Sequence, residues 1–243
     1  MGANPGTGKW MNRPGSPGVD SAIRSPFGAS RQGQPLSFNR APSPDLAPWV
    51  ARLYVSVIDA PPEHVIRCGM FYDIGVFRLQ LSGEWTAMTA DGLMEMGRSA
   101  VFMGPQTRLM PVTVRGGYVS IGFSMRPGVG HALQGLDIHT TLDRIIYIEN
   151  MGLPGEMALN RLAKIKSADK ILTVLEDMIR ATINHLGARR PDPVSVQFET
   201  ATLTNPAFSV ADFAEELGIS QRGLERIVRR DFGMSPKQVQ KRA

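Results

Sequence analysis

The chain has 243 residues, 42% hydrophobic and 20% charged, with a formal net charge of +5. That length suits one large or two ordinary domains, and two is the expected number. With no run of eighteen apolar residues and no apolar stretch near the N-terminus of the kind secretion uses, the sequence predicts no membrane span and a cytoplasmic protein.

Residues 1–45 are rich in glycine and proline and poor in aliphatics, a composition that cannot bury enough surface to offset chain entropy; a disordered head is expected. Within it, "PGTGK" (Pro5 to Lys9) resembles part of a phosphate-binding loop. Such a loop needs glycine where Ala3 stands and serine or threonine where Trp10 stands, so nucleotide binding is not expected.

Residues 46–150 read as a β-rich domain. Phe77, Leu79 and Leu81 alternate with polar neighbours, as do Val119, Ile121, Phe123 and Met125. Turn signals at Ser82-Gly83, Asp91-Gly92, Gly104-Pro105 and Gly116-Gly117 separate the runs at intervals that suit an antiparallel sandwich or barrel. Cys68, the single cysteine, excludes an internal disulfide and reads as a small buried apolar group. His64, His131, His139 and His185 lack metal-ligand spacing, no nucleophile motif surrounds Ser124, and Glu84, Asp91 and Glu95 read as solvated; neither metal, cofactor nor catalytic residue is expected. Met88, Met94, Met96, Met103, Met110 and Met125 either fill an irregular core or line an adaptable ligand pocket, with core filling the simpler reading, and Phe77 and Trp85 are core by the same default.

Residues 151–190 carry connecting helices. One short helix is predicted over Pro154 to Lys164. A longer one, capped by Ser167 and ended by Gly187, sets Ile171, Leu172, Leu175, Met178, Ile179, Ile183 and Leu186 in one stripe. That stripe packs on the chain's own β domain or, in a weaker reading, pairs with a second subunit to make a homodimer. "GARRPDP" (187–193) is a linker, and Asp192-Pro193 opens a helix that Asn205-Pro206 stops.

Residues 191–243 form a helical domain that holds the excess charge. Seven basic and two acidic side chains lie between Arg222 and Ala243, which accounts for the whole +5 and points to an anionic partner. In "SVADFAEELGISQRGLERIVRRDFG" (Ser209 to Gly233), Phe213 and Leu217 bury one face of a first helix, and Ala214 is small where a second must pass. Gly218 supplies a tight turn and Ser220 caps the second helix. At 100° per residue, Leu224, Ile227 and Val228 point inward while Arg222, Glu225, Arg226 and Arg229 share the opposite side. This spacing predicts a helix-turn-helix that enters a groove of double-stranded DNA.

"ADFAEELGISQRGLERIVRRDFGMSPKQV" resembles the first helix-turn-helix of the AraC family of transcription regulators, "FGMSP" included. "FMGPQTR" (Phe102 to Arg108) and "GFSMRPGVGHALQG" (Gly122 to Gly135) are similar to the cupin-like sensor domain found in a subset of that family. The resemblance implies an α+β fold, with an antiparallel cupin-like β domain, then helices and a C-terminal all-α helix-turn-helix domain. It implies a transcription regulator, not an enzyme, with a small-molecule effector or a partner at the sensor. Carried over by position, Arg222, Glu225 and Arg226 meet bases; Ser220 caps the recognition helix; and Gln221, Arg229 and Arg230 are placed for phosphates. The family carries two such units, and only the first is expected before Ala243. The alternative is a cupin-like small-molecule-binding protein or enzyme with a non-functional DNA-binding remnant.

Overall fold

The computed structural model describes residues 22–31 and 33–242. The "PGTGK" segment and the first twenty-one residues lie outside them. Eight strands form one antiparallel sheet: β1 (Phe38–Arg40), β2 (Val50–Ile58), β3 (Val65–Met70), β4 (Val76–Thr89), β5 (Gly92–Met96), β6 (Ser99–Met103), β7 (Met110–Met125) and β8 (Ile145–Tyr147). The order is β1-β2-β7-β4-β6-β8, with β3 paired to β7 and β5 to β4. Among the described residues there are seven α-helices, the first lying between β7 and β8 and the rest after β8: α1 (Val129–Gln134), α2 (Gly155–Leu162), α3 (Ala168–His185), α4 (Pro193–Thr204), α5 (Val210–Glu216), α6 (Gln221–Phe232) and α7 (Pro236–Gln240). The fold is α+β, an antiparallel β domain followed by an all-α domain. Among the described residues no helix is long and apolar enough to cross a membrane.

The head expected to be disordered is partly built into the sheet. Residues 22–31 and 33–45 run along the domain, β1 pairs with β2, and Arg24 bridges to Asp59. Composition missed this because the segment is held by groups far away in sequence. Arg40 bonds Asp169 and Glu176 at 2.7 and 2.6 Å, and the Ser43 backbone N–H donates to Glu176.

Two predicted turns are not turns. Ser82-Gly83 and Gly116-Gly117 lie inside the continuous strands β4 and β7. The pairing register of these strands shifts on either side of Ser82, so the glycine signal here marks bulges rather than chain reversals. Asp91-Gly92 does close the β4–β5 hairpin. The bulges bend the long strands, and the sheet acquires two separate cores. On one face Leu53, Phe77, Leu79, Phe102 and Ile121 pack against α2 and α3. On the other, a core built mainly of strand residues, with Ile23 from the N-terminal segment, joins Val76, Met103, Met110, Val112 and Trp85. Both faces of the first five residues of β4 are therefore covered, and Arg78 and Gln80, read in sequence as the polar side of an alternating strand, are buried at 8% and 2% exposure.

The helix predictions hold closely. Ser167 caps α3 through the Lys170 N–H, and the apolar stripe of α3 joins the sheet's first core within the same chain. Between them lies an apolar cavity of about 120 Å³. The Asp192 side chain caps α4 with Pro193 in its first turn. The third core centres on Phe198, fully buried, with the rings of Phe208, Phe213 and Phe232 at 5.4–5.8 Å.

Candidate nucleic-acid interface

α5 and α6 meet at a corner that local chemistry dictates. The Leu217–Ile219 chain reverses at Gly218, whose φ of +66° lies in the left-handed region that a Cβ disfavours. Ala214 is buried against the second helix, and the Ser220 hydroxyl accepts the Gly223 N–H at 3.1 Å, satisfying one orphan donor of the first turn. Leu224 and Val228 are fully buried and Phe232 nearly so, while Ile227 is half-buried at the margin. Gly233 ends α6 in the left-handed conformation, and Ser235 begins α7 with a capping box to Gln238.

With the back of α6 clamped, Gln221, Arg222, Glu225 and Arg226 project into solvent together. Gln221 Nε2 donates to Glu225 Oε1 at 3.0 Å. Arg229 is exposed yet engaged: His139 Nδ1 donates to the Gly233 carbonyl at 2.9 Å, which leaves Nε2 as the acceptor facing Arg229 at 3.3 Å. Ser220 and these five side chains lie on one end and face of the helix.

Arg230 does not join them. Its guanidinium bonds Asp231 at 2.6 and 2.7 Å and Asp192 at 3.0 Å, and Asp231 also accepts the Ser195 hydroxyl. The hydrogen bonds Arg230 donates to Asp231 hold its pKa well above its ordinary value. The reason is helical phase: one residue beyond Arg229, Arg230 turns toward α4 and its cap. Asp231 is 2% exposed and needs a cation there. Arg242, counted in sequence among the free basic residues, is also committed. It donates to the Tyr72 carbonyl at 2.8 Å and lies 4.1 Å from the Phe71 ring centroid, and burial lowers its pKa.

Polar contacts join the helical domain and its linker to the β domain. Arg126 pairs with Glu199 at 3.0 Å, the Trp49 indole donates to the Arg189 carbonyl at 2.8 Å, and the Arg229–His139 and Arg242–Tyr72 contacts flank them. Burial raises the Glu199 pKa, and the Arg126 charge opposes it. A cleft of about 320 Å³ lies between the domains, bordered by Asp73, Arg126, Glu199, Phe232 and Arg242. Among the described residues no group of three or more histidine, cysteine, aspartate or glutamate side chains could hold a metal ion.

No protein-family model matches the sequence, and no curated protein is a significant match. Among solved structures, the AraC-like transcriptional activator CuxR is similar over 85% of this chain and 93% of its own, at 13% identity and a TM-score of 0.36. Unsaturated fatty acid bound wild-type ToxT from Vibrio cholerae strain SCE256 is similar over 77% of this chain and 76% of its own, at 12% identity and a TM-score of 0.42. A cupin domain from Bordetella pertussis Tohama I matches 37% of this chain and 91% of its own, at 8% identity and a TM-score of 0.26.

Proposed function

We propose that this chain is a sequence-reading regulator of double-stranded DNA whose β domain serves as a sensor. The observation that carries the reading is the exposed fan of Arg222, Glu225 and Arg226 on a helix whose opposite side is fully packed and whose entry is a sharp capped corner. A helix of this bore fits a major groove. There arginine can hold guanine O6 and N7 bidentately, and glutamate can accept from cytosine N4. Gln221 and Arg229, at the edges of the fan, are placed for backbone phosphates, which fix orientation without reading sequence. The Gln221–Glu225 bond holds the carboxylate in place between the two arginines.

Sensing would reach the reader through the polar contacts that seat it. An effector that displaces the Tyr72 or His139 segments changes what Arg242 and Arg229 are bonded to, and with it the direction in which α6 points.

A salt titration on mixed-sequence duplex tests the DNA reading. Affinity should fall by roughly 0.9 log units per log unit of salt for each phosphate contact. No binding at low salt sinks the proposal. Selection on random duplexes then separates roles: Arg226→Ala should relax preference at one position, at a cost of about 1–3 kcal/mol on the preferred site alone. An equal loss on every sequence would move Arg226 to a phosphate.

A further inference from the structure

The last turn of α6 presses against the β domain. Gly233 ends the helix with a φ of +76°, and a Cβ there would stand 2.8 Å from the Leu142 side chain and 3.3 Å from that of Ile138. Beside it the Gly128 N–H donates to the Asp231 carbonyl at 3.4 Å. The one-turn segment Ile138–Thr141 sets the His139 ring at this junction. Its Nδ1 lies 2.9 Å from the Gly233 carbonyl oxygen, and a carbonyl only accepts, so Nδ1 carries the proton. In the neutral ring Nε2 is then an acceptor, and it stands 3.3 Å from Arg229 Nη2, which only donates. One imidazole from the β domain thus holds both the end of α6 and a side chain at the edge of the exposed fan.

The two contacts respond differently to a proton. A protonated ring keeps its Nδ1–H bond, and the C-terminal end of a helix favours a cation, so the ring stays docked. Its Nε2–H would then face a guanidinium that cannot deprotonate, so the Arg229 contact is lost. The carboxylates on the packed segments are engaged elsewhere. Asp137 accepts the His139 backbone N–H, Asp143 accepts the Thr107 N–H and hydroxyl, and Asp231 is taken by Arg230 and Ser195. On α6 the residues around Arg229 in sequence are further cations, Arg226 and Arg230, and α1 adds one titratable group, His131.

We infer that His139 is a proton-dependent part of the DNA interface, supplied by the β domain. Neutral, it holds Arg229; protonated, it releases Arg229 and stands beside it, so that a backbone phosphate arriving at Arg229 meets two cations. Histidine changes charge between about pH 5 and 8. The Arg229 contact is present above that change and is lost as pH falls through it, so DNA affinity rises toward acid. The inference rests on the DNA reading proposed above and adds a residue from outside the helical domain to it.

The test uses the full chain and a mixed-sequence duplex at constant ionic strength, at about pH 8 and about pH 5.5. The parent should bind roughly two- to fivefold more tightly at the lower pH, the range of an exposed ionic contact, and its salt dependence should steepen by about 0.9 log units per log unit of salt for each added phosphate contact. His139 is exposed, so His139→Gln leaves the core intact; it should lose the gain, whereas His131→Gln should keep it. An equal gain in His139→Gln, or none in the parent, overturns the inference. Nitrogen resonances of the DNA-free protein give an independent readout. The His139 ring should show the Nδ1–H tautomer at the higher pH, and the Arg229 guanidinium signals should move along the titration of that ring. Arg229 signals that ignore the ring overturn this inference alone, whereas absence of DNA binding at both pH values sinks the DNA reading and this inference with it.

Discussion

Arg226 and Arg78 are the same residue in opposite settings. Arg226 stands in solvent on α6, hydrated at no cost, and is useful only when a polyanion arrives. Arg78 is enclosed by strands, has no carboxylate partner among the described residues, and is held by Tyr72, Tyr54 and Trp85 instead. The contrast separates two ways a protein can hold charge. A surface array is neutral in folding and strongly salt-dependent in binding. A buried charge costs stability and is selective, because a competing ion must first lose its own water.

The largest expected effect would break the surface half of this comparison without touching the other. Phe198 is the hub of the reader's core, packed on three other rings. Phe198→Ala should cost about 3–5 kcal/mol and abolish DNA binding by unfolding the helical domain. The β domain should keep its own cooperative transition. Loss of both transitions together would mean that the two domains fold as one unit, a result that calorimetry of the variant would display as a single shifted transition.

Next in size is Arg78→Met, which sharpens the buried half. Removing an unpaired buried cation in favour of an apolar chain of similar length should raise the stability of the ligand-free protein by about 1–2 kcal/mol in a denaturant titration. A loss of similar size would assign Arg78 to the scaffold, held there by Tyr72 and Trp85.

The surface array was legible in sequence because every feature that makes it lies within one short segment. Gly218 and Ser220 act through neighbours only a few residues away, and helical period alone separates Arg226 from Leu224 and Val228. Arg230 escaped the same logic because its partner Asp192 is thirty-eight residues distant. The buried cation was hidden for that reason in stronger form. "VFRLQL" has the alternation of a half-exposed strand, and only the fold of the sheet reveals that both faces of the first five residues of β4 are covered and that Arg78 lies beside Gly122 and Tyr54. The bulges at Ser82-Gly83 produce that fold, and in sequence they are indistinguishable from a turn.

Ser220→Ala should give a smaller effect. Losing the hydroxyl that accepts the Gly223 N–H costs about 1 kcal/mol, and it frays the first turn of α6, which carries Gln221 and Arg222. DNA affinity should drop with little change in the global melting midpoint. An unchanged affinity would indicate that bound DNA restores the turn.

The last effect is absent at neutral pH and appears only in alkali. Burial pushes the Tyr118 pKa up to about 12, from 10.0, while the Arg78 charge pulls the other way. A tyrosine whose folded pKa is raised contributes stability that is complete below the unfolded value and is lost as pH climbs from about 10 through about 12. Burial raises the Tyr72 pKa as well, so tyrosinate absorbance of the folded protein should show late-titrating groups, one fewer in Tyr118→Phe. In Arg78→Met the Tyr118 group should titrate later still, because desolvation remains and the opposing cation is gone. An earlier titration in that variant would mean that water enters when the guanidinium leaves, and the interior around Arg78 would then be wet instead of desolvated.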